Sequence, residues 1–305
     1  MRLSFIRISY LALFLASSSQ VYSDYSRTYI DSFDFKTVIH EEIEIAYKVI
    51  GETDQQTAIL IMGLGASHSL WGDDFVHGIV DAGYRVILID NRDTGKSQKF
   101  NNWGEPTIWW QLLKNALGFT VSAPYLLDDM AVDVIAVMDD LDLQQSHILG
   151  ASMGGMIAQI ISANFPDRVL SLTSIMSTTG APHLPPPSGE SADMLKGLAD
   201  SDEANDRAKI MSEMGFEPKA IPRQLMAIIK TGDRSQAVAT IATPTLVLHG
   251  ADDSLIPVAH GEHTAELIKH SNFEIFQGMG HNLPEAILPR ILESITTHLN
   301  KNSPP

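Results

Sequence analysis

Short apolar runs alternate along this chain with longer stretches in which apolar positions recur every three or four residues. Residues 58–62 (AILIM), 85–90 (RVILID), 147–149 (HIL), 169–175, 244–249 (PTLVLH) and 273–277 (FEIFQ) are too short for stable helices and read as buried strands. Helical periodicity falls over 74–82, 126–141, 153–164, 259–269 and 286–299. Residues 33–50, with Ile43, Ile45 and Tyr47 at alternate positions, predict an antiparallel pair that opens a sheet. Strands that alternate with helices predict an α/β fold, a mostly parallel sheet flanked by helices.

Two segments break the rhythm. Between residues 177 and 241 the triplet Pro185-Pro186-Pro187 stops regular structure, and helical stretches follow at 194–198, 203–214 and 223–230. The strand pattern then resumes at Pro244, so 177–241 is expected to be a small helical cap inserted into a core of 24–176 and 242–305. The second segment, 103–124, is rich in Trp, Leu and Phe. It reads either as an extra helix packed on the core or as a flap that lines a substrate site.

The first 23 residues look like an address rather than part of the fold. Arg2 and Arg7 precede an apolar run at 8–16 (ISYLALFLA), and small residues around 21–23 suit a signal peptidase. The run is about half the ~20 residues that a membrane-spanning helix needs. The expectation is a signal peptide over 1–23, export to the periplasm or the outside, and no stable membrane insertion after cleavage. Composition narrows the partners. With 21 Lys and Arg against 37 Asp and Glu, the net charge is −16, which argues against nucleic acid. The absence of cysteine excludes disulfides, a thiolate zinc site and a cysteine nucleophile.

The chemistry gathers in a strand that runs into Gly150-Ala151-Ser152-Met153-Gly154 and then a helix. A nucleophile on a sharp strand-to-helix turn has strained backbone, and side chains two residues to either side would collide. Glycine at 150 and 154 removes that collision and exposes the Ser152 hydroxyl. A serine needs a base and an orienting acid. The loop after the next-to-last strand holds Asp252 and Asp253, and the loop after the last strand holds His281, so the chain order is Ser, Asp, His. An oxyanion hole needs two backbone amides. Met153, just after the nucleophile, supplies one by position. The second is expected from Gly63-Leu64-Gly65, with Leu64 preferred and its neighbours one residue away on either side.

These segments make the chain similar to α/β-hydrolases of the esterase type, and within them to aclacinomycin methylesterase-like carboxylesterases. The resemblance is carried by MGLGAS (62–67), DNRDTGKS (90–97), HILGASMGGMIAQ (147–159), LTSIMSTTG (172–180), PTLVLHGADDSLIP (244–257) and GMGHNLP (278–284), and it extends over about 33–299. It implies the α/β-hydrolase fold, a serine hydrolase acting on a small-molecule ester through an acyl-enzyme, and no metal or organic cofactor. It also implies that the catalytic acid stands four residues before Pro257, which selects Asp253. The cap is short for the family, so the shape of the pocket does not carry over.

Rival readings are weaker. Gly95-Lys96-Ser97 ends like a phosphate loop, but Asp90 stands where that loop needs glycine. His68 occupies the third position of a would-be dinucleotide G-x-G-x-x-G, and His68 with Asp73 matches only two fixed positions of an acyltransferase spacing. His260 and His263 with Glu266 share a helix face but lack a third ligand pattern. His249 reads as structural, Arg92 and Asp93 as ties between loops, and the acidic stretch 128–142 as the wet side of a helix. Within the fold, a proline-type aminopeptidase would need acidic cap residues such as Glu190, Asp193, Asp200, Asp202 and Glu203 to hold an amine. A perhydrolase, or from another class a non-catalytic binding module, would use the same scaffold.

Overall fold

The computed structural model describes residues 28–189, 191 and 204–304. The expected signal segment and the acidic cap residues Glu190, Asp193, Asp200, Asp202 and Glu203 lie outside them. Eight strands form one sheet: β1 (Phe35–His40), β2 (Ile43–Ile50), β3 (Thr57–Ile61), β4 (Arg85–Ile89), β5 (Ser146–Ala151), β6 (Val169–Ile175), β7 (Thr245–Gly250) and β8 (Ser271–Phe276). Their order is β1-β2-β4-β3-β5-β6-β7-β8. β1, β2 and β4 pair antiparallel and every other neighbouring pair is parallel.

Strand alternation puts two sets of side chains on opposite faces. Leu60, Leu88, Leu149 and Leu248 pack with α1 (Asp73–Asp81) and the C-terminal helix, whose Ile291, Ile295 and Leu299 complete that core. Ile59, Ile61, Ile87, Ile89 and Ile148 face the other way, against Val134 and Met138 of the Leu127–Asp140 helix and Ile157 and Ile161 of the Met153–Asn164 helix. In chain order the helices are α2 (Ile108–Ala116), α3 (Leu127–Asp140), α4 (Met153–Asn164), α5 (Ala204–Glu213), α6 (Ile221–Thr231), α7 (Ser235–Val238), α8 (Ala259–Leu267) and α9 (Leu288–Asn302). The expected strands and core helices fall within a few residues of these.

Three expectations need correcting or deciding. Most of the 103–124 segment lies outside the core: in and around α2, Leu117 and Phe119 are 65% and 64% exposed, although Val121 is buried, and α2 lies beside α6. The acidic stretch 128–142 is only partly a wet face. Asp133 is buried because Arg92 donates to both its oxygens at 2.7 Å. Helices α5, α6 and α7 do lie between β6 and β7, yet Val238 and Ile241 join the apolar core of the α3–α4 face.

The strand order sets where a site can form. The chain passes from β3 outward to β4, then returns to place β5 on the other side of β3. The loops leaving the C-terminal ends of β3 and β5 therefore diverge and open a crevice, the usual place for a ligand in an open parallel sheet. Those loops carry Gly63-Leu64-Gly65 and Ser152.

Candidate active site

Ser152 is the pivot between β5 and α4, at φ 55° and ψ −119°. Such a conformation costs on the order of 1–3 kcal/mol, so the surroundings must enforce it. The Ser152 N–H donates to the Ile175 carbonyl at 2.9 Å, and Ser177 Oγ donates to the Ser152 carbonyl at 2.8 Å. The flanking glycines have the expected steric cause. A Cβ at Gly150 would run into the Gly154 carbonyl, and one at Gly154 would run into the carbonyls of Ile61 and Met62.

The three side chains that chain order nominates meet at hydrogen-bond distance. His281 Nε2 lies 3.0 Å from Ser152 Oγ, and His281 Nδ1 lies 2.7 Å from Asp253 Oδ2. The other oxygen of Asp253 accepts from the N–H groups of Leu255 and Ile256 at 3.0 and 2.8 Å. The Asp253 side chain is fully buried and that of His281 is 20% exposed. A carboxylate held by two backbone N–H groups and facing Nδ1 favours the imidazole tautomer with its proton there, which leaves Nε2 free to accept from a hydroxyl. Asp252 points elsewhere: its Oδ2 accepts from the Gly278 N–H at 3.0 Å.

His249 stands 3.6 Å from Asp253 Oδ2 but donates through Nε2 to the Ile256 carbonyl at 2.7 Å. Burial holds its pKa below the usual histidine value, so it braces the acid loop as a neutral ring. The loop after β4 is a second brace. His68 donates to Asp90 Oδ1 from backbone N–H and faces it with Nδ1, both at 2.8 Å. Burial alone would raise Asp90, but these bonds hold it below the usual carboxylate range. Asn91 Nδ2 donates to the Met62 carbonyl at 2.8 Å, beside the glycine loop.

Of the candidate oxyanion donors, Met153 is the first residue of α4, where an amide has no intrahelical acceptor. In the glycine loop, the Gly65 N–H donates to Gln224 Oε1 at 2.6 Å and the Ala66 N–H to the Gly63 carbonyl at 3.2 Å. The Cα of Gly63 faces Ser152, since a Cβ built there would lie 3.5 Å from Oγ. Leu64, between them, is partly buried.

The rival clusters resolve into structural contacts. His260 bonds Thr178 Oγ1 and the Pro185 carbonyl at 2.7 and 2.9 Å, and His263 bonds Thr179 Oγ1 at 2.9 Å. Among the described residues no group of three or more His, Cys, Asp or Glu side chains is placed to hold a metal. Asp73 accepts from the N–H groups of Tyr29 and Ile30 at 2.9 and 3.0 Å while His68 turns to Asp90, so the acyltransferase-like spacing forms no pair. Two residues without a sequence signal matter here: Arg223 and Gln224 of α6 reach the loops after β4 and β3 across 130 and 159 residues.

Eight strands in this order, with Ser152 on a strained strand-to-helix turn at the crevice, define an α/β-hydrolase scaffold. Residues 58–210 match the family model described as alpha/beta hydrolase fold, and residues 225–302 match one described as Phospholipase/Carboxylesterase. The chain belongs to the α/β-hydrolase fold family. It is similar to rhodomycin D methylesterase DauP of Streptomyces sp. (strain C5), 25% identical over 307 residues, covering 86% of this chain and 97% of that one. The putative carbamate hydrolase RutD of Caulobacter sp. (strain K31) is 25% identical over 271 residues, covering 80% and 92%. Among solved structures, esterase RhEst1 from Rhodococcus sp. ECU1013 superposes with a TM-score of 0.64 at 20% identity, covering 89% of this chain and all of that one.

Proposed function

We propose that this α/β-hydrolase cleaves carboxylic esters by nucleophilic catalysis at Ser152. The observation that carries the reading is the continuous chain from Ser152 Oγ through His281 to Asp253, at 3.0 and 2.7 Å. Ser152 Oγ attacks the ester carbonyl while His281 Nε2 takes its proton, and Asp253 stabilises the imidazolium that forms. The N–H groups of Leu64 and Met153 receive the oxyanion. The choice of Leu64 over Gly65 is supported by the engagement of the Gly65 N–H with Gln224. Collapse of the tetrahedral adduct expels the alcohol, which takes the proton from His281, and leaves an acyl group on Ser152. Water, deprotonated by His281, then releases the acid.

An ester rather than another acyl substrate is supported by the likeness to a methylesterase along most of the chain. The decisive experiment compares wild type with Ser152→Ala on p-nitrophenyl esters of increasing chain length, aminoacyl anilides and a perhydrolysis assay. A fluorophosphonate should label wild type once and Ser152→Ala not at all. Preference for anilides would replace the reading with an aminopeptidase, and peroxide-dependent turnover with a perhydrolase. Phosphonate labelling that survives Ser152→Ala would overturn it altogether.

The same reading includes export and a cap. Cleavage after Ser23 takes the net charge from −16 to −18, because Arg2 and Arg7 leave and no acidic residue precedes Asp24. Intact mass of the protein from its native host should correspond to a start near Asp24, and a full-length cytoplasmic chain would refute export. Residues 177–241 act as the cap over the crevice, with α6 as the element nearest the glycine loop.

A further inference from the structure

The turn that carries Leu64 is held from outside the sheet. It is closed by the Ala66 N–H donating to the Gly63 carbonyl at 3.2 Å, so Leu64 and Gly65 are its two central residues. The segment between β6 and β7 grips it at consecutive positions. The Ser67 N–H donates to the Gly215 carbonyl at 3.1 Å, Ala66 forms an isolated bridge with Phe216, and the Glu217 N–H donates to the Gly65 carbonyl at 2.7 Å. Gln224 completes the grip. It is fully buried, its Oε1 accepts from the Gly65 N–H at 2.6 Å, and its Nε2 donates to the Arg92 carbonyl at 3.0 Å. A flipped amide would set oxygen against oxygen and N–H against N–H, so the two contacts fix its orientation.

Resting on the serine-esterase reading above, we propose that Gln224 is a positioning residue for the oxyanion hole. It anchors the turn at its central peptide, which follows Leu64. Together with the Ser67–Gly215 and Glu217–Gly65 bonds it so limits displacement of the Leu64 N–H, which belongs to the preceding Gly63–Leu64 peptide, from its place facing the developing negative charge. The central peptide is the one a four-residue turn rotates most easily, as the existence of alternative turn types for the same four residues shows. Tying its N–H to a buried amide removes that freedom, and the second tie to the Arg92 carbonyl anchors the amide to the loop after β4. Because Gln224 sits on α6, a correctly docked cap becomes a condition for a formed oxyanion hole, not only a wall of the pocket.

Loss of one oxyanion donor costs about 10²–10³ in kcat, and a displacement of about 1 Å about 10². Gln224→Met preserves length but offers neither bond, so its kcat should fall about tenfold to a hundredfold with KM within about threefold. Gln224→Asn, one methylene too short to reach Gly65, should fall with it. In Gln224→Glu, burial favours the neutral acid, which accepts from Gly65 and donates to Arg92, so kcat should recover to within about fivefold of wild type. A second readout uses ester pairs that differ only in C=O or C=S. Wild type should favour the oxygen ester, because N–H groups bond oxygen better than sulfur. Gln224→Met and Gln224→Asn should shrink that preference, which a merely destabilised fold would not do. Wild-type kcat and oxygen preference in both variants, with Ser152→Ala inactive, would overturn the positioning role alone. Full turnover in Ser152→Ala would overturn it together with the esterase reading.

Discussion

Asp252 and Asp253 are adjacent carboxylates in one loop, and replacing each with Asn separates a catalytic role from a structural one. Asn at 253 keeps an oxygen for the Leu255 and Ile256 N–H groups, which Asp253 Oδ1 now receives at 3.0 and 2.8 Å, so the loop should hold. The other end becomes an NH2 group facing His281 Nδ1 across 2.7 Å. Two donors cannot share that contact, so the imidazole must carry its proton on Nε2. That proton then confronts the Ser152 hydroxyl at 3.0 Å, and the base can no longer accept from the nucleophile. The equivalent change in a serine protease lowers kcat about 10⁴-fold, or roughly 5 kcal/mol of transition-state stabilisation. We expect Asp253→Asn to lose three to four orders of magnitude in kcat on p-nitrophenyl esters, with an unchanged circular-dichroism spectrum. Asp252 is exposed, and among the described residues its side-chain hydrogen bond is to the Gly278 N–H at 3.0 Å. Asn there retains an acceptor, so Asp252→Asn should stay within about tenfold of wild type. Equal losses would mean that the two carboxylates act as one network, and a larger loss at 252 would refute the assignment.

Further tests concern the frame around the site. Arg223 and Asp93 form a bidentate pair at 2.6 and 2.8 Å with side chains 1% and 0% exposed, and Asp93 also accepts from Tyr125 Oη at 2.7 Å. Arg223→Met strands a buried carboxylate and should cost about 3–5 kcal/mol in denaturant unfolding, while adding Asp93→Asn should recover much of it; a loss below about 1 kcal/mol would show the pair to be dispensable. His147, at the opposite end of β5 from Ser152, is lowered by burial from 6.5 to about 4. The unfolded chain therefore protonates first, so stability falls as pH drops below 6.5, by about 2 kcal/mol at pH 5, and the loss is complete only below about 4. His147→Gln should flatten that acid limb between pH 6.5 and 4.5 in urea titrations, and an identical slope in both proteins would refute the contribution.

What was legible in the sequence is what leaves a local trace. Short continuous apolar runs mark β3 and β4 because both faces of these strands are buried between helical layers: Leu60 and Leu88 on one face, Ile59 and Ile87 on the other. The elbow shows because Gly150 and Gly154 answer a steric demand within five residues of chain, and the Ser, Asp, His order shows because each follows a strand. Composition leaves α2 open. The Trp, Leu and Phe of 103–124 allow either a core-packed helix or a flap, and only the fold, with Leu117 and Phe119 just past α2 in solvent, decides against the first, because apolarity alone does not say whether a surface is covered. Asp133 misleads outright. It looks like one more charge on a wet helix, and only the Arg92 fork, 41 residues away, takes it inside.

The contacts that escaped are pairings between segments far apart in the chain, and they share a purpose. Arg223 seizes Asp93 and Gln224 seizes Gly65, two adjacent residues of α6 fixing the loops after β4 and β3. Neither partner lies in a periodic pattern that names the other, and a glutamine in a helical stretch has no signature beyond ordinary helix propensity. The consequence is physical as well as methodological. Ser152 and His281 stand in the segments that directly follow β5 and β8 of the parallel sheet, so their placement follows from the fold. The glycine loop takes its shape from an insertion that the fold does not require. Variation in the inserted segment should therefore alter oxyanion geometry while leaving Ser152, His281 and Asp253 in place, and changes in rate between esters need not come from pocket walls alone.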